Sequence, residues 1–189
     1  MNQQTSAWRL DLIVNLLRSG AVIAYPTEGV WGLGCIPEDQ ESVSRILHLK
    51  RRSWQEGLIL AASDVSQVEP YLEGLSSSQR ETLEAAWPGP ITWLVPDNGV
   101  APAWITGRHN RVALRVSSHP VIKGICDRLQ GAIVSTSANP TGKPAAKTNL
   151  RVRQYFPKGI DYIVPGELGA SLGASEIRDL MTGDVIRPA

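Results

Sequence analysis

Between Gly131 and Pro144 the chain passes from a short apolar run, Ala132, Ile133 and Val134, into Ser135, Thr136, Ser137, Ala138 and Asn139. Pro140 and Gly142 close any regular structure there, and Lys143 and Lys147 follow. A short apolar run that ends in such breakers predicts a buried strand. Three hydroxyls and an amide at its end then face the place where open α/β sheets bind ligands. Neutral donors beside cations suit an anionic, oxygen-rich ligand such as a phosphate. The alternative, a surface turn whose hydroxyls only satisfy local backbone, stands equally on this stretch alone.

The other polar candidates are cations. The chain of 189 residues has a formal net charge of +1, so it is no polycation, yet its positive residues are gathered in knots. These are Lys50, Arg51 and Arg52, then Arg108, Arg111 and Arg115, then Lys143, Lys147, Arg151 and Arg153. Such knots form either one basic surface or several solvated faces. Other chemistries lack their signatures. There is no Gly-x-Ser-x-Gly, no phosphate-binding G-x-x-x-x-G-K-[ST], no dinucleotide turn and no evident pair of carboxylates for glycoside chemistry. His48, His109 and His119 have no metal-ligand spacing and read as structural or surface residues. Cys35 and Cys126 lie far apart and read as packed thiols. What remains is a site that neutralises and orients anions. Phosphoryl or nucleotidyl transfer needs such a site, with Mg²⁺ usually supplying part of the positive charge.

Alternating helices and strands must position these groups. Apolar spacing predicts a helix over Trp8–Ser19 stopped by Gly20, and a second over Asp39–Leu49 that runs into Lys50, Arg51 and Arg52. There the cations also complement the helix macrodipole, which requires no function. Strands are expected at Ala21–Tyr25, Gly57–Ala62, Ile91–Val95, Arg111–Val116 and Asp161–Val164, with a closing hairpin of Ser175–Asp179 and Val185–Arg187. In Arg111–Val116 the alternation places the arginines on one face. Thr27–Gly34 reads as a glycine-studded loop with a carboxylate, Glu28, at its mouth. Asp64–Leu72 reads as a short helix capped by Asp64, and Ser78 with Glu81 as the capping box of a helix ending at Trp87. Asn98–Asn110 reads as a loop, Ser118 and Pro120 start a helix to Leu129, and Thr148 caps one to Phe156. The pattern is that of a single α/β domain over residues 1–189, with an open twisted mixed sheet and helices on both faces. No apolar run approaches the roughly 18 residues of a membrane span, and the amino terminus has no signal-peptide pattern, so a cytoplasmic protein is expected.

Several of these segments together resemble the YrdC/TsaC family. They are Tyr25-Pro26-Thr27-Glu28 with Gly32-Leu33-Gly34, the K-x-R of Lys50 and Arg52, Leu114-Arg115-Val116 to His119-Pro120, the S-x-N of Ser137 and Asn139, and Ser175 with Arg187. The motifs run in the family's order over nearly the whole chain, in the manner of its short single-domain bacterial form. The resemblance implies synthesis of L-threonylcarbamoyladenylate and pyrophosphate from L-threonine, bicarbonate and ATP with Mg²⁺. The adenylate would serve a downstream transferase machinery that modifies tRNA. It further implies that Lys50, Arg52, Ser137 and Asn139 hold the ATP phosphates and the reacting carbamate. Thr27, Arg115, Ser135 and Ser175 would hold threonine, and Arg187 would reach the nucleotide.

Two positions depart from the family pattern. Family members commonly have proline after K-x-R and a lysine a few residues on, where Ser53 and Glu56 stand here. Lys143 is the candidate substitute for the missing phosphate contact. The rival reading is a non-catalytic RNA-binding accessory module that grips tRNA or ribosomal RNA with its basic knots, although a net charge of +1 weighs against it.

Overall fold

Register explains how one sheet carries both a core and a site. The computed structural model describes residues 6–188. Among them are β1 (Ile23–Pro26), β2 (Trp31–Gly34), β3 (Ile59–Ala62), β4 (Ile91–Pro96), β5 (Arg111–Val116), β6 (Ile133–Ser137), β7 (Tyr162–Ile163), β8 (Glu176–Asp179) and β9 (Val185–Arg187). They form an open mixed sheet in the order β7-β1-β2-β6-β3-β5-β4-β8-β9, with parallel pairs at β1/β7, β3/β5 and β4/β8. The helices are α1 (Ala7–Arg18), α2 (Gln40–Lys50), α3 (Ser77–Ala86), α4 (Ala103–Thr106), α5 (Pro120–Leu129) and α6 (Asn149–Tyr155).

Side chains alternate across a strand, so each strand feeds two layers. Ile23, Tyr25, Ala61 and Ile133 pack with Leu10, Ile13 and Leu17 of α1 and Val121, Ile122 and Ile125 of α5. Ala24, Leu60, Ala62, Leu114 and Val134 pack on the opposite face with Val43 and Ile46 of α2, Leu83 of α3 and Val152 of α6. The expected architecture, with helices on both faces, is therefore present. Helices α1 and α5 approach closely at Gly124, where an added Cβ would lie 2.7 Å from Leu10 Cδ1.

Several local expectations change. Trp31–Gly34 is a strand, although the local pattern of its two glycines favours a loop. A Cβ on Gly34 would lie 2.6 Å from Val134 O and 2.8 Å from the Tyr25 ring, so glycine here makes room for a neighbouring strand and its aromatic side chain. The capping box is Ser76 with Gln79, two residues earlier than expected within a run of three serines. The Asp64–Leu72 segment splits into 3₁₀ turns at Val65–Gln67 and Glu69–Leu72, because Pro70 has no N–H to continue an α-helical ladder. The Asn98–Asn110 loop contains the single turn of α4. Asp64 does cap the first 3₁₀ turn, and Thr148 caps α6. Among the described residues no helix is long and apolar enough to cross a membrane.

Candidate active site

Paired residues on neighbouring strands share a face, and this places the site. Ala61, covered by α1 and α5, pairs with Arg115; Ile59 pairs with both Ala113 and Ser135, and Gly32 pairs with Ser137. The face that α1 and α5 cover over β1 and the start of β6 thus continues uncovered over β5, β4 and β8. A cavity of about 450 Å³ lies there, in the size range of small-molecule sites. Thr27, Arg52, Arg115, Ser135, Ser137, Ser175 and Arg187 all line it, from six separate stretches of chain. His109, read as structural or surface, also lines it.

Arg115 is buried, at 8% exposure. Its Nη2 meets Glu28 Oε2 at 2.5 Å and its Nε lies 3.4 Å from Gly89 O. Glu28 is itself oriented, because Ser117 Oγ donates to its Oε1 at 2.6 Å and the His119 N–H donates to Ser117 Oγ at 3.1 Å. His119 caps α5 by accepting the Val121 N–H at Nδ1, while Nε2 lies 3.2 Å from Glu167 O. These partners fit the neutral tautomer protonated at Nε2, and burial lowers the pKa of this ring in agreement. Glu28 and Ser117 therefore brace the guanidinium from behind. Sequence reasoning did not assign them; the one available signal was a carboxylate at the mouth of the Thr27 turn.

Arg52 and Arg187 reach the cavity from segments far apart in the chain. Arg52 Nη2 donates to Gly57 O at 3.2 Å, and Nη1 pairs with Glu56 Oε2 at 3.1 Å. Arg187 Nη2 donates to Ser175 O at 2.6 Å, and the Ser175 hydroxyl lies 2.8 Å from Thr92 Oγ1. Burial, then the charges of Arg52 and Arg115, push the Arg187 pKa down. The smaller, charge-derived part of that shift reflects three cations gathered around one space, and a bound anion would relieve it. Thr27 is buried and its hydroxyl donates to Val30 O at 2.7 Å, closing the turn between β1 and β2.

Lys50 and Asn139 do not line the cavity. Lys50 is 3% exposed, and its ammonium donates to the carbonyls of Ser137 and, at 2.9 Å, Asn139. The Thr141 N–H donates to Lys50 O at 2.7 Å, so Lys50 anchors the turn after β6 through both side chain and backbone. Asn139 Nδ2 donates to Pro140 O and Lys143 O, while its Oδ1 is buried with no donor among the described residues. Lys143, the candidate substitute in the K-x-R loop, is exposed and outside the lining; the Glu56 carboxylate stands at Arg52 instead. Among the residues of the third basic knot, Lys147 donates to Leu172 O, and none lines the cavity. Cys35 and Cys126 are free and buried, and burial raises both thiols, so they are packed groups rather than nucleophiles.

A strap over residues 166–174 closes one side of the site. The Gly169 N–H donates to Thr27 O and the Ser171 N–H to Glu28 O. An added Cβ on Gly29 would lie 2.0 Å from Gly173 O and 2.8 Å from Ser171 O. Gly29→Ala must therefore lift the strap, at a cost of about 1–3 kcal/mol typical of overpacking. Faster limited proteolysis within 166–174, with helix content unchanged by circular dichroism, is the expected result; wild-type cleavage rates would contradict it.

Comparison with known proteins places the chain in a family. The sequence profile of the Sua5/YciO/YrdC family, described as "Telomere recombination", matches residues 15–189. The chain is 52% identical over 182 residues to a protein of Stutzerimonas stutzeri named threonylcarbamoyl-AMP synthase, covering 96% of this chain and 98% of the relative. It is 50% identical over 181 residues to a protein of the same name from Cellvibrio japonicus, covering 96% of each. The crystal structure of P. abyssi Sua5 complexed with L-threonine superposes with a TM-score of 0.90 at 28% identity, over 100% of this chain. This chain spans 56% of that longer Sua5 chain. By profile, sequence and fold together, the chain belongs to the Sua5/YciO/YrdC family.

Proposed function

We propose that this protein is an L-threonylcarbamoyladenylate synthase. The carrying observation is the convergence of Arg52, Arg115 and Arg187 with the hydroxyls of Thr27, Ser135, Ser137 and Ser175 on one cavity of about 450 Å³. Threonine carboxylate, bicarbonate and ATP are all anions, and bringing them together requires fixed cations and oriented donors. Full-length relatives named for this product, and a threonine complex of a structural neighbour, support the same reading.

The threonine amine adds to bicarbonate carbon with loss of water, giving a carbamate. A carbamate oxygen then attacks the α-phosphorus of ATP, and the bond to the bridging oxygen breaks to release pyrophosphate. Arg115, held by Glu28, takes the threonine carboxylate, with Thr27, Ser135 and Ser175 around the rest of the amino acid. Arg52 and Ser137 meet the phosphates and the carbamate, and Arg187 meets the nucleotide. Lys50 and Asn139 serve the same reaction by holding the Ser137 turn in shape.

The lining carboxylates Glu56 and Asp179, and Glu28 behind Arg115, each face an arginine, and no cluster of three potential metal ligands exists among the described residues. Mg²⁺ enters as part of the substrate, on the ATP phosphates, in keeping with its preference for phosphate and water oxygens. The product passes to the transferase machinery that modifies tRNA, in the cytoplasm. Cations drawn into a concave cavity favour this reading over an RNA-binding module, which would present them outward.

The test is incubation with MgATP, bicarbonate and threonine, followed by mass spectrometry for the adenylate. Pyrophosphate release is expected to need threonine and bicarbonate together, because the attacking carbamate exists only when both are present. Release at the same rate with either omitted would overturn the assignment.

A further inference from the structure

Three carboxylates face the cavity arginines, and they differ in what else holds them. Glu28 accepts a bond from Ser117 as well as facing Arg115. Asp179, opposite Arg111 at 3.2 Å, also accepts the backbone N–H groups of Met181 at 2.8 Å and Thr182 at 3.2 Å. Both are built into the fold. Glu56 has no such anchor among the hydrogen bonds and ion pairs of the described residues; it pairs with Arg52 alone, and its side chain is 48% exposed. Arg52 in turn spends one terminal nitrogen on Gly57 O and the other on Glu56, and its buried Nε has no acceptor among the described residues.

We propose that Glu56 is an exchangeable counterion of Arg52, displaced from the guanidinium when a phosphate group binds and thereby setting the affinity for the nucleotide. The identity of the anion rests on the synthase reading; the exchange itself does not. A part-exposed ion pair is weakly held, whereas a phosphate presents more charge and several acceptor oxygens to the same fork. Leaving Glu56 in place would set a carboxylate against the incoming phosphate. Its exposed position on the 3₁₀ turn Trp54–Glu56 lets it swing into solvent instead. Glu56 is thus a determinant of substrate affinity in place of a further phosphate ligand.

Inorganic tripolyphosphate is the probe, titrated calorimetrically into the whole protein without threonine or bicarbonate. Glu56→Gln keeps the shape and removes the competing charge, and is expected to bind roughly twofold to fivefold more tightly than wild type, the size of a part-exposed ion pair. Glu84→Gln, which removes an exposed charge from α3, controls for net charge and is expected to match wild type. The KM for ATP in adenylate synthesis should fall with Glu56→Gln by the same factor. Tighter tripolyphosphate binding in a protein that makes no adenylate would uphold the exchange and remove the synthase reading. Equal or weaker binding by Glu56→Gln, or equal tightening by Glu84→Gln, would overturn the exchange even in an active synthase.

Discussion

Arg115→Ala is expected to raise the threonine concentration for half-maximal adenylate synthesis by about a hundredfold or more, the range for losing one partner of a desolvated charge pair. Arg115 is 8% exposed, and its Nε and Nη2 are oriented by Gly89 O and Glu28, which leaves the remaining donors of the planar fork for a carboxylate. Alanine would also bare Glu28 to the substrate's own carboxylate. The KM for ATP should move far less, because Arg52 and Ser137 are intact. The competing explanation is that Arg115 only neutralises Glu28. Arg115→Ala combined with Glu28→Gln separates the two, since it removes the stranded charge. A double variant that melts like wild type yet retains the threonine defect supports the binding role. Recovery of the threonine KM to within about twofold of wild type would reduce Arg115 to a structural counterion.

Lys50→Met is expected to cost about a hundredfold in turnover while the protein still folds. Its effect runs through the turn that carries Ser137, where a misplacement of about 1 Å is enough for such a loss. Methionine retains most of the buried stem but ties neither the Ser137 nor the Asn139 carbonyl. A thermal melt beside the turnover measurement distinguishes this from unfolding, and near wild-type turnover would show that the turn holds without the ammonium.

Lys50 also leaves a pH signature. Burial first, and the charge of Arg52 second, push its pKa down from an ordinary 10.5 to about 8. Below about 8 the group is protonated in both folded and unfolded chains, and the cost of burying the cation is fully present. Between about 8 and 10.5 the unfolded chain binds the extra proton, so this group raises stability as pH increases through that window, by on the order of a few kcal/mol in total. Thermal melts at pH 7.5 and 9.5 should therefore show wild type gaining relative to Lys50→Met at the higher pH. A constant difference between the two proteins would remove the assigned shift.

The sequence alone determined whatever depends on local periodicity. The stripe Leu10, Ile13 and Leu17 marks α1, and Val43, Ile46 and Leu47 mark α2. The alternation along Arg111–Val116 placed Arg111 and Arg115 on one face, and both line the cavity. The apolar run ending in Ser135, Thr136 and Ser137 is β6, and all three residues line the cavity too.

Tertiary structure alone decided the directions of neighbours and the identity of distant partners. Lys50, Arg51 and Arg52 are consecutive cations at a helix end, which local rules treat as equivalent. Arg51 caps α2 in the left-handed region at φ 51°, and from that turn Lys50 points behind the Ser137 turn while Arg52 enters the cavity. The glycines of β2 read as loop because their value lies in the space they leave for Tyr25 and the β6 backbone, contacts that no single-strand pattern contains. Glu28 and Glu56 escaped assignment for the same reason. A carboxylate's role is set by which cation and which further donors the fold brings to it, through electrostatic contacts made across the sheet for Glu28 and across one turn for Glu56.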